Sequence, residues 1–284
     1  WCAYSKAEST PKLLSLVDSW IRGKISKRND DNELVSLVQG TDYQITDCLF
    51  ELIGKDTTYV LTDDITVSNP IEYIVINADG ITIDGNYKTV TVTVTDYPGF
   101  VENGKMVDGT YDSTTGTYTR NNDIPAHGGC TIKNLSVDGT NGSLSENSGW
   151  VCQQNFGGDN SGEKITVENC NSSGTISQKN SGGIFGTNTN AVSEKELIVS
   201  NCYSTGAISG DEAGGIFANR TNFIASGTIT VTNCYSSGTI SGKNTGGIFG
   251  YSANKSSSGT VTVENCYSSG TITGIYAGGI IGEE

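Results

Sequence analysis

The C-terminal half of the chain alternates apolar and polar residues with a period of two, in short runs separated by glycine, serine and asparagine. In one such run Ile229 and Val231 stand between Thr228, Thr230 and Thr232. This alternation is typical of a β-strand with one buried face. Residues 238–242 and 246–250 are two further short runs bounded by glycines. The pattern therefore predicts three short strands per unit and no helix.

The unit recurs every 32 residues. Its four clear copies span residues 165–186, 197–218, 229–250 and 261–282, and a weaker copy spans 132–152. Two adjacent positions keep the step in all clear copies: Asn169, Asn201, Asn233 and Asn265, followed by Cys170, Cys202, Cys234 and Cys266. Three short strands per unit predict one triangular coil of an all-β, right-handed parallel β-helix (β-solenoid), in which equal residues stack as ladders about 4.8 Å apart. A β-propeller is the rival fold, but its blades need four longer strands and usually about 40 residues or more.

Residues 58–164 show the same alternation without regular repetition. Apolar residues alternate at three pairs of positions: Ile65/Val67, Ile74/Ile76 and Ile81/Ile83. We therefore expect degenerate coils over 58–164, with an excursion at about 99–129 that lacks repeat character. Regular repeats are expected over 165–284 and beyond the last residue given.

Residues 1–57 precede the coils and predict a short, mainly helical N-terminal cap or docking segment. Thr10-Pro11 is a typical helix start. One apolar helical face follows it, made of Leu13, Leu14, Leu16, Val17, Trp20 and Ile21, and a second apolar group contains Leu34, Val35, Leu37 and Val38. The open end of a stack of strands exposes unpaired edges, which such a segment would cover.

Two stretches resemble known proteins. The run TYVLTDDITVSNPIEYIVINADGITIDGNYKTV, residues 58–90, resembles the opening coils of pectate-lyase-like right-handed β-helix proteins. The C-terminal units, such as ITVTNCYSSGTISGKNTGGIFG, resemble the GLUG motif of bacterial surface proteins. The resemblances imply a β-helix and a repeat type found in adhesins, large secreted proteins and virion proteins. They do not settle function, because a fold alone does not.

The net charge and the lack of a long apolar run limit the partners that this chain is expected to bind. The chain of 284 residues has a formal net charge of −14 and a pI near 4.4, so the basic surface that nucleic-acid binding needs is missing. No apolar run approaches the roughly 20 residues of a membrane span. We expect no nucleic acid, no membrane insertion and no cofactor.

The cysteines predict a buried ladder of free thiols. Leu135 fills the position of Cys170 in the weaker copy, so that position accepts an apolar side chain. Neighbouring coils would hold the Cβ vectors parallel, which suits a disulfide poorly. Pairing among the other four stays open: Cys2, Cys48, Cys130 and Cys152. No metal site is predicted, because the chain has no C-x-x-C pair and a single histidine.

Two groups of residues are candidates for a catalytic site. Asp63-Asp64 with His127 faintly resembles polygalacturonase-type hydrolases, but neighbouring residues on a strand point to opposite faces. A lyase needs clustered carboxylates for Ca²⁺ and a basic residue nearby; outside the N-terminal region the arginines are Arg120 and Arg220. No catalytic residue is assigned.

Tyr203, Tyr235 and Tyr267 form a column directly after the cysteines, with Asn171 in the first unit. Alternation points these side chains outward, where they would stack on one another or bind sugar rings or a neighbouring protein. The preferred function is a non-enzymatic structural or attachment protein, a rigid rod on a cell or virus-particle surface. It would contact other subunits through its N-terminal segment or coil ends, with surface glycans as further candidates. The alternatives are a β-helix polysaccharide lyase or hydrolase, with its site near residues 96–130, and a carbohydrate-binding module using the tyrosine column.

Overall fold

The structure, a computed structural model of the chain, describes residues 19–46, 49–104, 108–112, 117–121, 125–160, 162–223, 225–255 and 257–283, with the backbone alone at 108–112 and 117–121. The regular secondary structure of this part of the chain is almost entirely β-strand, and residues 19–21 are helical. No helix within it is both long and apolar enough to cross a membrane.

The strands are short. Those before the regular repeats are β1 (Ile25–Arg28), β2 (Leu34–Val35), β3 (Tyr43–Thr46), β4 (Leu49–Leu52), β5 (Thr58–Leu61), β6 (Ile65–Val67), β7 (Ile74–Ile76), β8 (Thr82–Asp84), β9 (Thr89–Val92), β10 (Val101–Glu102), β11 (Asp108–Asp112), β12 (Thr117–Asn121), β13 (Thr131–Lys133) and β14 (Ser136–Asp138). The regular repeats contribute β15 (Ile165–Glu168), β16 (Asn171–Ser172), β17 (Leu197–Ser200), β18 (Tyr203–Ser204), β19 (Ile229–Thr232), β20 (Tyr235–Ser236), β21 (Val261–Glu264) and β22 (Tyr267–Ser268).

Two long sheets run through the repeats. Over the described residues the first sheet has the order β2-β1-β5-β8-β13-β15-β17-β19-β21, and the second has the order β6-β9-β14-β16-β18-β20-β22. A third, short sheet has the order β10-β7-β4-β3. From β5 onward every pair in the two long sheets is parallel, for example β15 with β17 and β18 with β20. The prediction of an all-β chain with parallel, repeated strands is confirmed, and the arrangement is compatible with a β-helix.

The register of the long sheets equals the sequence repeat. Ile165 pairs with Leu197, Leu197 with Ile229 and Ile229 with Val261. Each step advances one 32-residue unit, so every residue faces the residue at the same position of the next unit, and we call such a set a column. The columns at the positions of Phe185 and Gly182 continue as isolated parallel bridges. All parts of the unit are thereby in register.

The core lies between the sheets as stacked apolar columns. Phe185, Phe217 and Phe249 are fully buried, and their rings stack at centroid distances of 4.6 and 4.7 Å with interplanar angles of 5° and 3°. The inward Ile, Leu and Val side chains of β15, β17 and β19 are equally buried. Period-two alternation therefore becomes burial, because every second residue of a strand points inward.

One glycine column shows how closely the units approach. A Cβ atom on Gly206 would overlap the carbonyl oxygen of Gly174, and a Cβ on Gly238 would overlap that of Gly206. Only glycine lets the backbones of successive units come this close.

The elements described between residues 25 and 52 are the four strands β1 to β4, so the expectation of a mainly helical segment is wrong there, although residues 19–21, with Trp20 and Ile21 of the expected helix face, are helical. β1 pairs antiparallel with β5, β2 pairs antiparallel with β1, and β3 pairs antiparallel with β4. These strands saturate the N–H and C=O groups at the first edges of two sheets, which a helix packed on the end would leave unpaired. The expected helix start at Thr10-Pro11 and the residues up to 18 lie outside the described residues.

A buried carboxylate fastens this strand cap. Asp42 is almost fully buried and accepts a hydrogen bond from Lys27 Nζ at 2.6 Å and from the Val38 N–H at 2.8 Å. Tyr59 on β5 donates its hydroxyl to the Asp42 carbonyl oxygen at 2.6 Å, and burial raises the pKa of Tyr59 to about 12. The cap is thus tied to the first strand of the main sheet by side chains as well as by backbone.

The expected excursion contains a β-hairpin. β11 and β12 pair antiparallel, with Tyr111 opposite Tyr118. The excursion is narrower than expected, because Val101–Glu102 belongs to the third sheet and pairs in parallel with Ile74 and Val75.

We expect Phe217→Ala to lower the free energy of unfolding by about 3–5 kcal/mol, because it removes a fully buried ring from the middle of a stack. Urea unfolding followed by circular dichroism measures the change. Ile275→Ala is the control, since Ile275 is 66% exposed and its truncation should cost little. Equal losses in the two variants would contradict the stacked core.

Candidate functional site

The cysteine column lies inside the core. Cys170, Cys202 and Cys234 are fully buried, Cys266 is partly exposed, and all four are free thiols. Each thiol donates to the carbonyl oxygen two residues before it, at 3.2–3.3 Å. The backbone N–H of Cys202 donates to Cys234 Sγ at 3.4 Å, and that of Cys234 donates to Cys266 Sγ at the same distance. Cys130 and Cys152 are also buried and free, whereas Cys2 and Cys48 lie outside the described residues.

The surroundings of Cys130, Cys152, Cys202 and Cys234 disfavour the thiolate. Burial raises the pKa of Cys202 and Cys152 well above the usual value and that of Cys130 to about 12. The hydrogen bond with Cys202 and burial raise the pKa of Cys234. A protonated, buried thiol is neither a nucleophile nor a metal ligand. In the described residues no three or more His, Cys, Asp or Glu side chains are grouped to hold a metal ion. The column acts as small apolar packing.

The asparagine column lies at the corner between the two long sheets. Asn169, Asn201, Asn233 and Asn265 all have positive φ, between 53° and 55°. Asn169 Nδ2 donates to Asn134 Oδ1, and Asn233 Nδ2 donates to Asn201 Oδ1, each at 3.2 Å. Asparagine tolerates the left-handed conformation better than most residues, and its amide links one unit to the next. The column therefore turns the chain and bonds the layers.

The tyrosine column is a stack of rings. Tyr203 and Tyr235 are separated by 4.9 Å between centroids at 4°, and Tyr235 and Tyr267 by 5.1 Å at 5°. Because the rings are parallel along the stack, both faces of Tyr235 are covered by its neighbours. The surface is left with ring edges and hydroxyl groups, along with the outer face of Tyr267. Sugar binding by stacking needs free ring faces, so this geometry offers little for it.

A second set of polar columns was missed from the sequence. The segments 187–196, 219–226 and 251–258 separate the clear copies of the repeat and vary in sequence, which predicts exposed surface, but the first two are mostly buried. Asn190 Nδ2 donates to Asn222 Oδ1 at 3.1 Å, and Asn222 Nδ2 donates to Asn254 Oδ1 at 2.8 Å. The signal was present, because these asparagines also keep the 32-residue step. The first two segments are interior turns of the unit.

The catalytic candidates lie apart or make structural hydrogen bonds. Asp64 Oδ1 accepts the N–H of Thr89 at 2.8 Å, and Asp63 Oδ1 accepts the N–H of Asp64 at 2.8 Å. Arg220 lies over the ring of Phe223, 5.5 Å from its centroid. The side chain of Arg120 lies outside the described residues, so its expected grouping with aspartates is not tested.

His127 stands beside a polar groove of about 340 Å³. Its backbone is fixed by Asn103, whose side chain accepts from the His127 N–H at 2.8 Å and donates to its carbonyl at 3.0 Å. Its Nδ1 lies 3.4 Å from Asp79 Oδ1, and that oxygen also accepts the Gly128 N–H at 3.1 Å. The groove is lined by Lys55, Asp56, Asp79, Gly80, Gly128, Gly129, Gly162, Glu163 and Lys195. Its charges are mixed, and the sequence had singled out only His127.

No family model, curated protein or solved structure matches this chain. The resemblances to pectate-lyase-like proteins and to the GLUG motif therefore remain predictions.

We expect stability to fall in alkali. The folded-state pKa values of the buried thiols are raised, so their stabilising effect is complete below the unfolded pKa of about 8.5 and is lost as the pH rises. The free energy of unfolding should be flat below about pH 8 and then fall by about 1.4 kcal/mol per pH unit for each thiol. Urea unfolding under reducing conditions from pH 7 to 10 measures the slope. Cys234→Val keeps an apolar side chain but removes one thiol, so the free energy of unfolding should fall less steeply with pH, by the contribution of that one thiol. An unchanged slope would contradict the account.

A matched pair tests the asparagine corner. Asn201 has φ 54°, which costs an alanine about 1 kcal/mol but costs glycine nothing. Asn201→Ala should therefore be about 1 kcal/mol less stable than Asn201→Gly, as measured by urea unfolding. Equal stability of the two variants would show that backbone conformation is not what selects asparagine there.

Proposed function

We propose that the chain is a right-handed parallel β-helix that serves as a non-enzymatic structural or attachment protein, a stiff rod on the surface of a cell or a virus particle. The single observation that carries the proposal is that the strand register advances by the same 32 residues as the sequence repeat. Backbone pairs, core rings, thiols and amides all step by the same 32 residues. Bending such a stack would disturb every column at once, so the arrangement favours stiffness.

The side chains that would otherwise suggest chemistry support the same proposal. Cys202 and Cys234 are buried with raised thiol pKa values, the asparagines bond adjacent layers, and Asp63 and Asp64 accept backbone N–H groups. Each group stabilises the backbone and faces no shared cavity. An acidic, uniformly folded rod also suits an extracellular or particle-surface position, where solubility and resistance to proteolysis matter.

Other subunits are the partners we propose. Five of the eight exposed large hydrophobic side chains of the described residues lie in the last repeat: Tyr267, Ile272, Ile275, Tyr276 and Ile281. Strand edges and apolar side chains of this kind are suited to being covered by another layer, whether a further repeat of the chain or another subunit. At the other end, β1 to β3 already pair with the sheets.

Electron cryomicroscopy of the native assembly tests the proposal directly. The expected result is density for the chain as a rod on the outside of the cell or particle, in contact with other subunits. A chain found free of any assembly would contradict it.

A polysaccharide lyase or hydrolase is the second candidate, and the groove beside His127 is the observation that favours it. Incubation with polygalacturonan, with and without Ca²⁺, should release no oligosaccharide if the chain is a scaffold. Cleavage that is lost in Asp79→Asn but retained in Asp63→Asn would overturn the scaffold proposal, because Asp79 lines the groove and Asp63 does not.

A further inference from the structure

One outward face of the regular repeats is devoid of charge. Residues 169–178, 201–210, 233–242 and 265–274 contain no Asp, Glu, Lys or Arg, although 17% of the chain is charged. Within 203–210 the exposed or half-exposed residues Tyr203, Thr205, Ala207 and Ser209 alternate with buried ones. The outward residues form four columns, which we call the neutral face: 171/203/235/267, 173/205/237/269, 175/207/239/271 and 177/209/241/273.

The neutral face is regular and broad. The Tyr rings of its first column stack within 5° of parallel, and the bridges from Ile176 to Ile208 and from Ile208 to Ile240 keep the far side in register. Four layers at about 4.8 Å and seven residues at about 3.3 Å give at most roughly 450 Å² per molecule, because each unit bends at Gly206 or its equivalent. A pair of such faces would bury at most about 900 Å², below the ~1,000 Å² at which stable interfaces begin and in the range of weak contacts.

The net charge of the chain indicates which kind of partner fits the neutral face. Two copies that each carry −14 repel one another over most of their surface, and the repulsion is least where both present no charge. Interface cores are depleted of charge and enriched in tyrosine, with polar rims. Beside the neutral face, the column of Lys179, Asp211 and Lys243 supplies such a rim with both signs. A partner of opposite charge would be drawn to the acidic faces instead.

We propose that the neutral face is a lateral docking surface for a second copy of this chain, so that two rods pair side by side about a two-fold axis. The inference rests on the scaffold function and adds a partner to it. If the chain proves monomeric, this inference fails while the proposed rod function stands. From its area the pair is expected to be weak and concentration-dependent. Added salt should strengthen the pair, because it screens the repulsion between the two acidic molecules.

Sedimentation of the 284-residue chain over concentrations up to about 0.5 mM tests this. The wild type should form dimers, and Thr239→Glu should raise their dissociation constant at least about tenfold, because the two-fold axis brings the new carboxylates of both copies into one interface. Ser209→Glu places the same charge in the neighbouring column, and it gives the test if Thr239→Glu does not fold. The control is Thr232→Glu on the first sheet, whose column already holds Glu168 and Glu264.

Dimers of the wild type and of Thr232→Glu, with monomers of a folded Thr239→Glu or Ser209→Glu, support the proposal. A wild type that stays monomeric over the whole range overturns it. So do charge variants of the neutral face that dimerise like the wild type, or a control that dissociates equally, since the contact would then lie elsewhere.

Discussion

The in-register parallel pairing of each 32-residue unit with the next is the constraint on which the rest of the structure depends. Parallel pairing at a fixed register places every side chain against its equivalent in the neighbouring unit. Inside the stack, a residue is therefore favoured if its side chain packs well against the equivalent residues of the neighbouring units. Phenylalanine rings, thiols and amides all satisfy this condition, and glycine is required where backbones of successive units touch.

The same constraint separates structural from functional candidates. Residues that recur at every step, such as Cys202 and Asn201, hold layers together and have no cavity before them. The positions free to carry a function are those where the repeat breaks or where the surface is exposed. In this chain they are the irregular turns around His127, next to the groove, and the neutral face.

Much of the fold could be predicted because the sequence carries two independent signals. Period-two alternation of apolar and polar residues marks the strands, and the 32-residue step marks the units that pair. The strand cap could not, since the apolar run at Leu34, Val35, Leu37 and Val38 fits a helix face as well as strand edges, and only the pairing of β2 with β1, and of β1 with β5, decides. The buried asparagines Asn190 and Asn222 were hidden by composition: polar residues predict surface unless their hydrogen-bond partners are known. For the tyrosines, the sequence placed the column outward and offered ring stacking beside sugar or protein binding, and the register shows that the rings stack on one another.

Distances between spin labels along one outward column test the stacked architecture most directly. Thr66 pairs with Thr91, Thr91 pairs with Asp138, and the column continues through Ser173 to Thr205, Ser237 and Ser269. Labels attached through an introduced non-natural amino acid at Thr66 and at Thr205, Ser237 or Ser269 should lie about 19, 24 and 29 Å apart, rising by one strand spacing per unit. Distances that do not rise in equal steps of about 4.8 Å would contradict the account.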